Sequence, residues 1–198
     1  MKRKRDRSMG IRVALSINVA LWIVWLGYWA IAARGAKPVQ WREPLREQWS
    51  HNALALLGAI VLSVSPLSPP FLHARFLPLP AIFAPLGTIV TALGLGVSVA
   101  ARIQLGGNWS AAVEIKDGHA LIRHGLYRHV RHPIYSGLLL GLLGSTIAIG
   151  QWRELLGLAV ILAALILKAR HEENLMRRTF PDYDGYARET AALIPFLL

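Results

Sequence analysis

The sequence predicts an all-α integral membrane protein of about five transmembrane helices, with one polar loop and a polar C-terminal tail on the cytoplasmic side. Three observations carry this. Of its 198 residues, 54% are hydrophobic and only 17% charged, whereas an ordinary soluble domain carries about a quarter charged residues. The uncharged runs are long, and about 20 apolar residues cross the hydrocarbon core as a helix. The net charge of +11, from 22 Lys and Arg against 11 acids, sits between those runs rather than along one stripe. Flanking positive charge of this kind belongs to membrane topology and speaks against a nucleic-acid partner. Disorder is excluded, because unfolded segments are polar and highly charged, and the length suits a single domain, 1–198.

The first span is placed at 13–33. Its 21 uncharged residues include Trp22, Trp25 and Trp29, too long and too aromatic for a cleaved signal peptide. The second, at 50–66, backs up toward Trp49 because Pro66, Pro69 and Pro70 interrupt the run behind it; proline ends a helix. The third, at 79–101, lies in the uncharged run from Phe76 to Ala101, and the fourth is at 133–150. The fifth, at 153–168, is short, but Arg153, Glu154 and Lys168 can reach an interface with their side chains. Five spans put the termini on opposite sides. The segments after the first, third and fifth spans hold 14 basic residues against eight on the other side, so the positive-inside rule makes the 14-residue side cytoplasmic and the location a multi-pass cell-membrane one.

The loop 102–132 and the tail 169–198 share that side and form one polar cap. Five of the seven histidines fall there. A metal site among His119, His124, His129 and His132 is rejected, since Arg123, Arg128 and Arg131 are interleaved with them and would repel a dication; no metal is expected. Zero cysteines remove thiolate sites and thiol catalysis. An anion or zwitterion suits the mixed Arg, His and Glu set better. Pro133 suits the first turn of the fourth helix, leaving His132 beside free backbone N–H groups that receive a carboxylate well. Lys168 and Glu172 lie four apart and share one helix face. Gly94-Leu95-Gly96 lies inside an apolar span without a preceding strand, so it is no dinucleotide fingerprint; its glycines suit close helix packing.

Gly125-Leu126-Tyr127, then Arg131-His132-Pro133-Ile134-Tyr135-Ser136-Gly137, then Glu172-Glu173 and Tyr183 and Tyr186 before Ile194-Pro195 resemble the isoprenylcysteine carboxyl methyltransferase family over about Leu105 to Phe196. The resemblance implies S-adenosylmethionine as cofactor, with S-adenosylhomocysteine as product, held by loop and tail. Carried over by position, cofactor contacts fall on Glu114, His119, Ala120, Leu121, Ile122, Tyr127, His132, Pro133, Ile134, Tyr135 and Glu172. Lys168 stands where the family has a basic residue near the substrate carboxylate, with Arg131 the next such cation. The family's usual Arg becomes Lys here, which loses bidentate geometry, and its Gly-Pro-Tyr becomes Gly125-Leu126-Tyr127.

The implied activity is methyl transfer to a lipophilic small molecule or lipidated substrate drawn from the bilayer, most simply the carboxylate of an isoprenylcysteine-like amphiphile. A carboxylate acceptor is already a nucleophile, so no catalytic residue is assigned and alignment does the work. An amine acceptor would need a base, with Glu172 or His171 nearest. Two alternatives stand beside this reading: an NADPH-dependent membrane reductase of sterol-reductase type, with Arg123, Arg128 and Arg131 gripping a phosphate, and a non-catalytic membrane binding protein.

Overall fold

Apolar runs, glycine spacing and two prolines account for most of the architecture. The computed structural model describes residues 2–63, 69–78 and 82–194, with side chains in the first helix from residue 9 onward. The expected end of the second span at 66, the start of the third at 79 and the tail beyond Ile194, including Pro195, lie outside these residues. Among the described residues, six α-helices occur in chain order: α1 (Lys2–Ala32), α2 (Leu45–Ser63), α3 (Phe83–Leu105), α4 (Pro133–Ile149), α5 (Trp152–Thr179) and α6 (Tyr183–Glu189). Among the described residues, two helical stretches are long and apolar enough to cross a bilayer, Met9–Gly35 and Phe83–Asn108, and Pro133–Ile149 is apolar but shorter. Val13, Ile17, Ile23, Val24, Ile89 and Leu93 are exposed, an apolar surface of the kind that marks contact with a membrane.

α3 and α4 form the centre. Gly87 and Gly94 repeat at seven residues on one helix, as Gly137 and Gly144 do on the other. A Cβ added at Gly94 would meet the Gly141 nitrogen at 2.3 Å, and one at Gly144 the Thr91 nitrogen at 2.3 Å. Small residues thus let the two backbones touch, which is how helices associate where lipid removes the hydrophobic drive. α1 is fastened to this pair by hydrogen bonds: Asn18 Nδ2 donates to Thr91 Oγ1 at 2.9 Å, Ser145 Oγ to Asn18 Oδ1 at 3.0 Å and Trp22 Nε1 to Ser145 Oγ at 2.9 Å. α4 starts at Pro133 with His132 as N-cap and ends at Gly150, whose φ of +69° closes the turn into α5; that left-handed region favours glycine.

Three features depart from the sequence reading. The fold is not purely helical: β1 (Val39–Arg42) and β2 (Glu114–Lys116) pair antiparallel. The second helix begins at Leu45, one turn or more ahead of the expected 50. The fifth does not stop at 168 but continues unbroken to Thr179, because no glycine or proline interrupts Lys168 to Thr179. The first part of the expected tail is therefore helix. The rest folds back along the loop: Arg131 N donates to Ala191 O at 2.8 Å, His132 N to Ala192 O at 3.0 Å and Ala191 N to His129 O at 3.2 Å.

Candidate functional site

At the polar end, the loop, the start of α4 and the middle of α5 enclose a cleft. Its walls include Glu114, His119, Ala120, Leu121, Ile122, Tyr127, Arg131, His132, Ile134, Tyr135 and Glu172. Of the residues singled out in the sequence, Pro133 and Lys168 do not line it. Pro133 is buried in the first turn of α4. The ammonium of Lys168 donates to Ala111 O at 2.6 Å and stands 4.0 Å from Glu172 and 5.7 Å from the centre of the Tyr135 ring.

Glu172 is the carboxylate that the cleft presents. Tyr135 Oη donates to Glu172 Oε1 at 2.5 Å, and His132 Nδ1 lies 3.3 Å from Glu172 Oε2. The His132 and Tyr135 rings stack at 5.4 Å, only 3° from parallel. Burial alone would raise the Glu172 carboxyl, but the hydrogen bond from His132 and the nearby Lys168 hold it below the usual carboxylate range. It is ionised at neutral pH. Next to it, Glu173 faces the other way. It receives Arg131 Nε at 2.7 Å and Arg177 Nη2 at 3.2 Å, and His132 Nε2 lies 3.3 Å away. Burial pushes its carboxyl up, but the bonds with His132 and Arg131 bring it down to about 2. His132 therefore bridges two carboxylates; burial would lower its pKa, and hydrogen bonds to Glu172 and then Glu173 raise it instead.

Two of the sequence candidates turn out to be committed within the protein. The guanidinium of Arg131 also donates to the carbonyls of Ala187 and Thr190 and is 11% exposed, so it ties the tail to α5 rather than standing free for a substrate. Glu114 receives Arg42 Nε at 2.5 Å, Lys116 Nζ at 2.7 Å and Ser110 Oγ at 2.5 Å. Burial raises its carboxyl and these three donors outweigh it, keeping it ionised. Its oxygens brace the β1–β2 ribbon over the cleft.

The remaining wall is apolar and planar. Residues 119–123 form neither helix nor strand, and the amides of Ala120, Leu121 and Ile122 find no acceptor among the described residues. His119 Nδ1 accepts the Lys116 amide at 3.2 Å, which leaves Nε2 to carry the proton; burial, then Lys37 and Lys116, lower its pKa, so the ring is neutral. Tyr127 is buried with Ala101 and Ile134, and Trp29, Trp109, Ile122 and Tyr135 pack around them. Its hydroxyl titrates well above the usual range, chiefly through burial and then Glu172. Tyr186 Oη donates to Tyr127 O at 2.6 Å, joining α6 to the wall.

The sequence reading missed Arg42, Ser110 and Trp109. Arg42 is 72 residues from Glu114, and a four-residue strand in a helical chain gives almost no periodic signal. It also missed a second grouping, Glu43, His51 and His171, whose ligand atoms all lie within 4.8 Å of one another.

The features above, a largely apolar helical protein with two helices long enough to cross a bilayer and a partly polar cleft where helices meet a folded loop, are those of a helical membrane protein. Residues 87–178, a little under half of the chain, match the isoprenylcysteine carboxyl methyltransferase (ICMT) family, so the chain is similar to that family through this segment. It is 28% identical over 115 residues to a probable protein-S-isoprenylcysteine O-methyltransferase of Oryza sativa subsp. indica, covering 56% of this chain and 60% of that one. It is 37% identical over 109 residues to a nickel-cobalt-cadmium resistance protein of Alcaligenes xylosoxydans xylosoxydans, covering 52% and 48%. A cobalt-zinc-cadmium resistance protein of Cupriavidus metallidurans is 36% identical over the same length, covering 52% and 47%. The chain thus spans about half the length of the curated relatives it matches.

Proposed function

We propose that the protein is a membrane methyltransferase that takes its methyl group from S-adenosylmethionine and gives it to a lipophilic acceptor, most simply the carboxylate of an isoprenylcysteine-like amphiphile. The observation that carries this is the convergence of Glu172, Tyr135, His132 and residues 119–122 on one cleft, within the stretch that matches the family. The residues suit the cofactor: an ionised carboxylate for an amino group or hydroxyl, unpaired backbone amides for a heteroaromatic edge, and Tyr127 and Tyr135 for flat faces or a sulfonium. When bound, S-adenosylmethionine supplies an electrophilic methyl group. Glu172 holds its place through Tyr135 and His132, whose stacked rings leave it one orientation. Trp109 and Ile122 supply part of the cleft's apolar wall. A carboxylate acceptor needs no base, so positioning is the whole contribution, worth several kcal/mol.

In this reading the helices make five passes through the cell membrane, with the cleft facing the cytoplasm and a lipid-soluble acceptor entering from the bilayer. Calorimetry on detergent-purified protein tests it directly. S-adenosylhomocysteine binds and NADPH does not; saturable NADPH binding alone would turn the reading to a reductase, and binding of neither to a non-catalytic role. The identities to two proteins named for metal resistance favour a second, compatible reading, that this methyl transfer serves metal tolerance. Its test is the growth of a deletion strain on nickel, cobalt and cadmium.

A further inference from the structure

Beside α5 three side chains converge: Glu43 just after β1, His51 eight residues on in the second turn of α2, and His171 of α5. Each offers a ligand atom, and these atoms all lie within 4.8 Å of one another. His171 Nδ1 and Glu43 Oε1 are 2.7 Å apart, and the His51 and His171 rings stand 5.5 Å apart at 72°, edge to face rather than stacked.

The polar accounting around this cluster does not close. His51 is 2% exposed and Glu43 5% exposed. Both ring nitrogens of His51 and the second carboxylate oxygen of Glu43 are buried without a hydrogen-bond partner among the described residues. Buried polar atoms are satisfied in the great majority of cases, and those that are not demand a reason. An unpaired imidazole between two helices is a costly choice where an apolar side chain would pack. Of the five such atoms among the described residues, three belong to this one cluster, the other two being on Arg102 and Glu154.

We infer that Glu43, His51 and His171 form a binding site for one divalent transition-metal ion. Two imidazoles and one carboxylate suit borderline ions such as Zn²⁺ and Co²⁺, while magnesium and calcium prefer all-oxygen sets. Bond lengths near 2.1 Å place tetrahedral ligand atoms about 3.4 Å apart. The hydrogen-bonded pair would open by well under an ångström and the widest pair would close by somewhat more, within reach of side-chain rotation. Three protein ligands leave a fourth position, the pattern of exchangeable or reactive sites rather than closed structural ones. A second cleft, lined by Trp41, Glu47, Asn174 and Arg178, reaches two of the three residues, Glu43 and His171, with His51 buried behind its wall, and gives an ion a route from solvent. Of the nearby cations, Lys168 is already engaged by Ala111 O and Glu172.

This site is distinct from the loop histidines, and it replaces the expectation of no metal. It stands apart from the methyltransferase reading, because it uses neither the first cleft nor its ligand. It would tie α2 to α5 one residue away from Glu172.

The full chain, purified in detergent and stripped with a chelator, is titrated with Co²⁺. The expected result is one equivalent bound, with visible absorption of tetrahedral intensity that Zn²⁺ abolishes by competition. Glu43→Gln, His51→Gln and His171→Gln should each weaken Co²⁺ at least as much as loss of an outer-shell partner does, about 10- to 100-fold or more. His119→Gln, in the other cleft, should leave it unchanged. Near-ultraviolet circular dichroism and the unfolding midpoint report folding without reference to any cofactor. Should a variant fail to fold, the wild-type spectrum still decides, since octahedral, weakly absorbing or non-stoichiometric Co²⁺ overturns the site. Folded variants that bind Co²⁺ like the wild type overturn it equally.

Discussion

Along α3 and α4 the two backbones come so close that a single methyl group has no room, whereas at the junction of loop, α5 and tail the same chain gathers Arg131, His132, Glu172, Glu173 and Arg177 in mutual contact. The first region is held by shape and the second by charge. The seam should therefore be sensitive to volume and indifferent to pH, and the cap the reverse. In the methyltransferase reading the division also follows function: charges held in a rigid frame present Glu172 to a ligand, and the frame is supplied by α3 and α4.

The seam breaks most completely. Gly94→Leu puts side-chain atoms where the Gly141 backbone already lies, and since backbone cannot turn aside, the cost should exceed the usual overpacking range of about 1–3 kcal/mol. Little folded protein should be recovered from detergent extracts. Gly96 meets nothing within 4 Å, so Gly96→Ala on the same helix should be neutral or stabilise by up to about 1 kcal/mol. Comparable unfolding midpoints for the two variants would disprove the seam.

The cap answers to charge. Glu173→Ala leaves Arg131 buried without its carboxylate, a loss of about 3 kcal/mol for a buried pair with one partner removed, read as a fall in the unfolding midpoint. The same groups set a pH profile. Glu173 titrates at about 2 in the folded protein, below its usual value of 4.5, so its contribution is full above about 4.5 and is lost as pH falls toward 2. His132 is raised above 6.5, so its contribution is full below 6.5 and is lost as pH climbs through the raised value. Stability should peak between about pH 4.5 and 6.5. Glu173→Gln should flatten the acid limb and His132→Ala the alkaline one; a wild-type profile flat from pH 3 to 9 would contradict both.

Glu172 sharpens the contrast within the cap itself. It contacts Tyr135 and His132 but no arginine, so Glu172→Gln should move the unfolding midpoint little. S-adenosylhomocysteine affinity should nevertheless fall at least tenfold, about 1.4 kcal/mol. Unchanged affinity in the folded variant would remove Glu172 from the ligand's contacts.

Much of this division is legible in the sequence, and the exceptions have physical causes. The uncharged runs mark the apolar helices because a hydrocarbon environment tolerates few alternatives to a 20-residue apolar helix. The cap residues stand out because Tyr127, His132, Tyr135 and Glu172 sit in short, ordered motifs. What escaped were contacts set by pairing across long separations. Arg42 meets Glu114 only once β1 and β2 align, and Glu43 meets His171 only once α2 lies along α5. Arg131 looked like a free cation because a sequence lists charges without their partners. The end of the fifth helix was misjudged for a related reason: charge marks where an apolar run stops, whereas a helix continues until its backbone is interrupted.

The smallest effect tests where the acceptor's head is held. Lys168 lies outside the cleft wall, with its ammonium bonded to Ala111 O and 4.0 Å from Glu172, at the level where α5 passes from apolar to polar residues. In the methyltransferase reading, an anionic acceptor whose chain is dissolved in the bilayer would meet this cation first. Lys168→Met should then raise KM for an anionic amphiphile by roughly three- to tenfold, about 1 kcal/mol, with kcat little changed, because the interaction is already made in the bound ground state. Lys168→Arg should lower KM below the wild-type value, since a guanidinium grips a carboxylate with two parallel bonds. S-adenosylhomocysteine affinity should stay within about twofold in both variants, because Tyr135 and His132 still hold Glu172. A parallel loss of cofactor affinity and turnover in Lys168→Met would mean that Lys168 acts through Glu172. Arg131 could not then take its place, bound as it is to Glu173 and the tail carbonyls, and the acceptor's head would have to be held by neutral donors of the cleft.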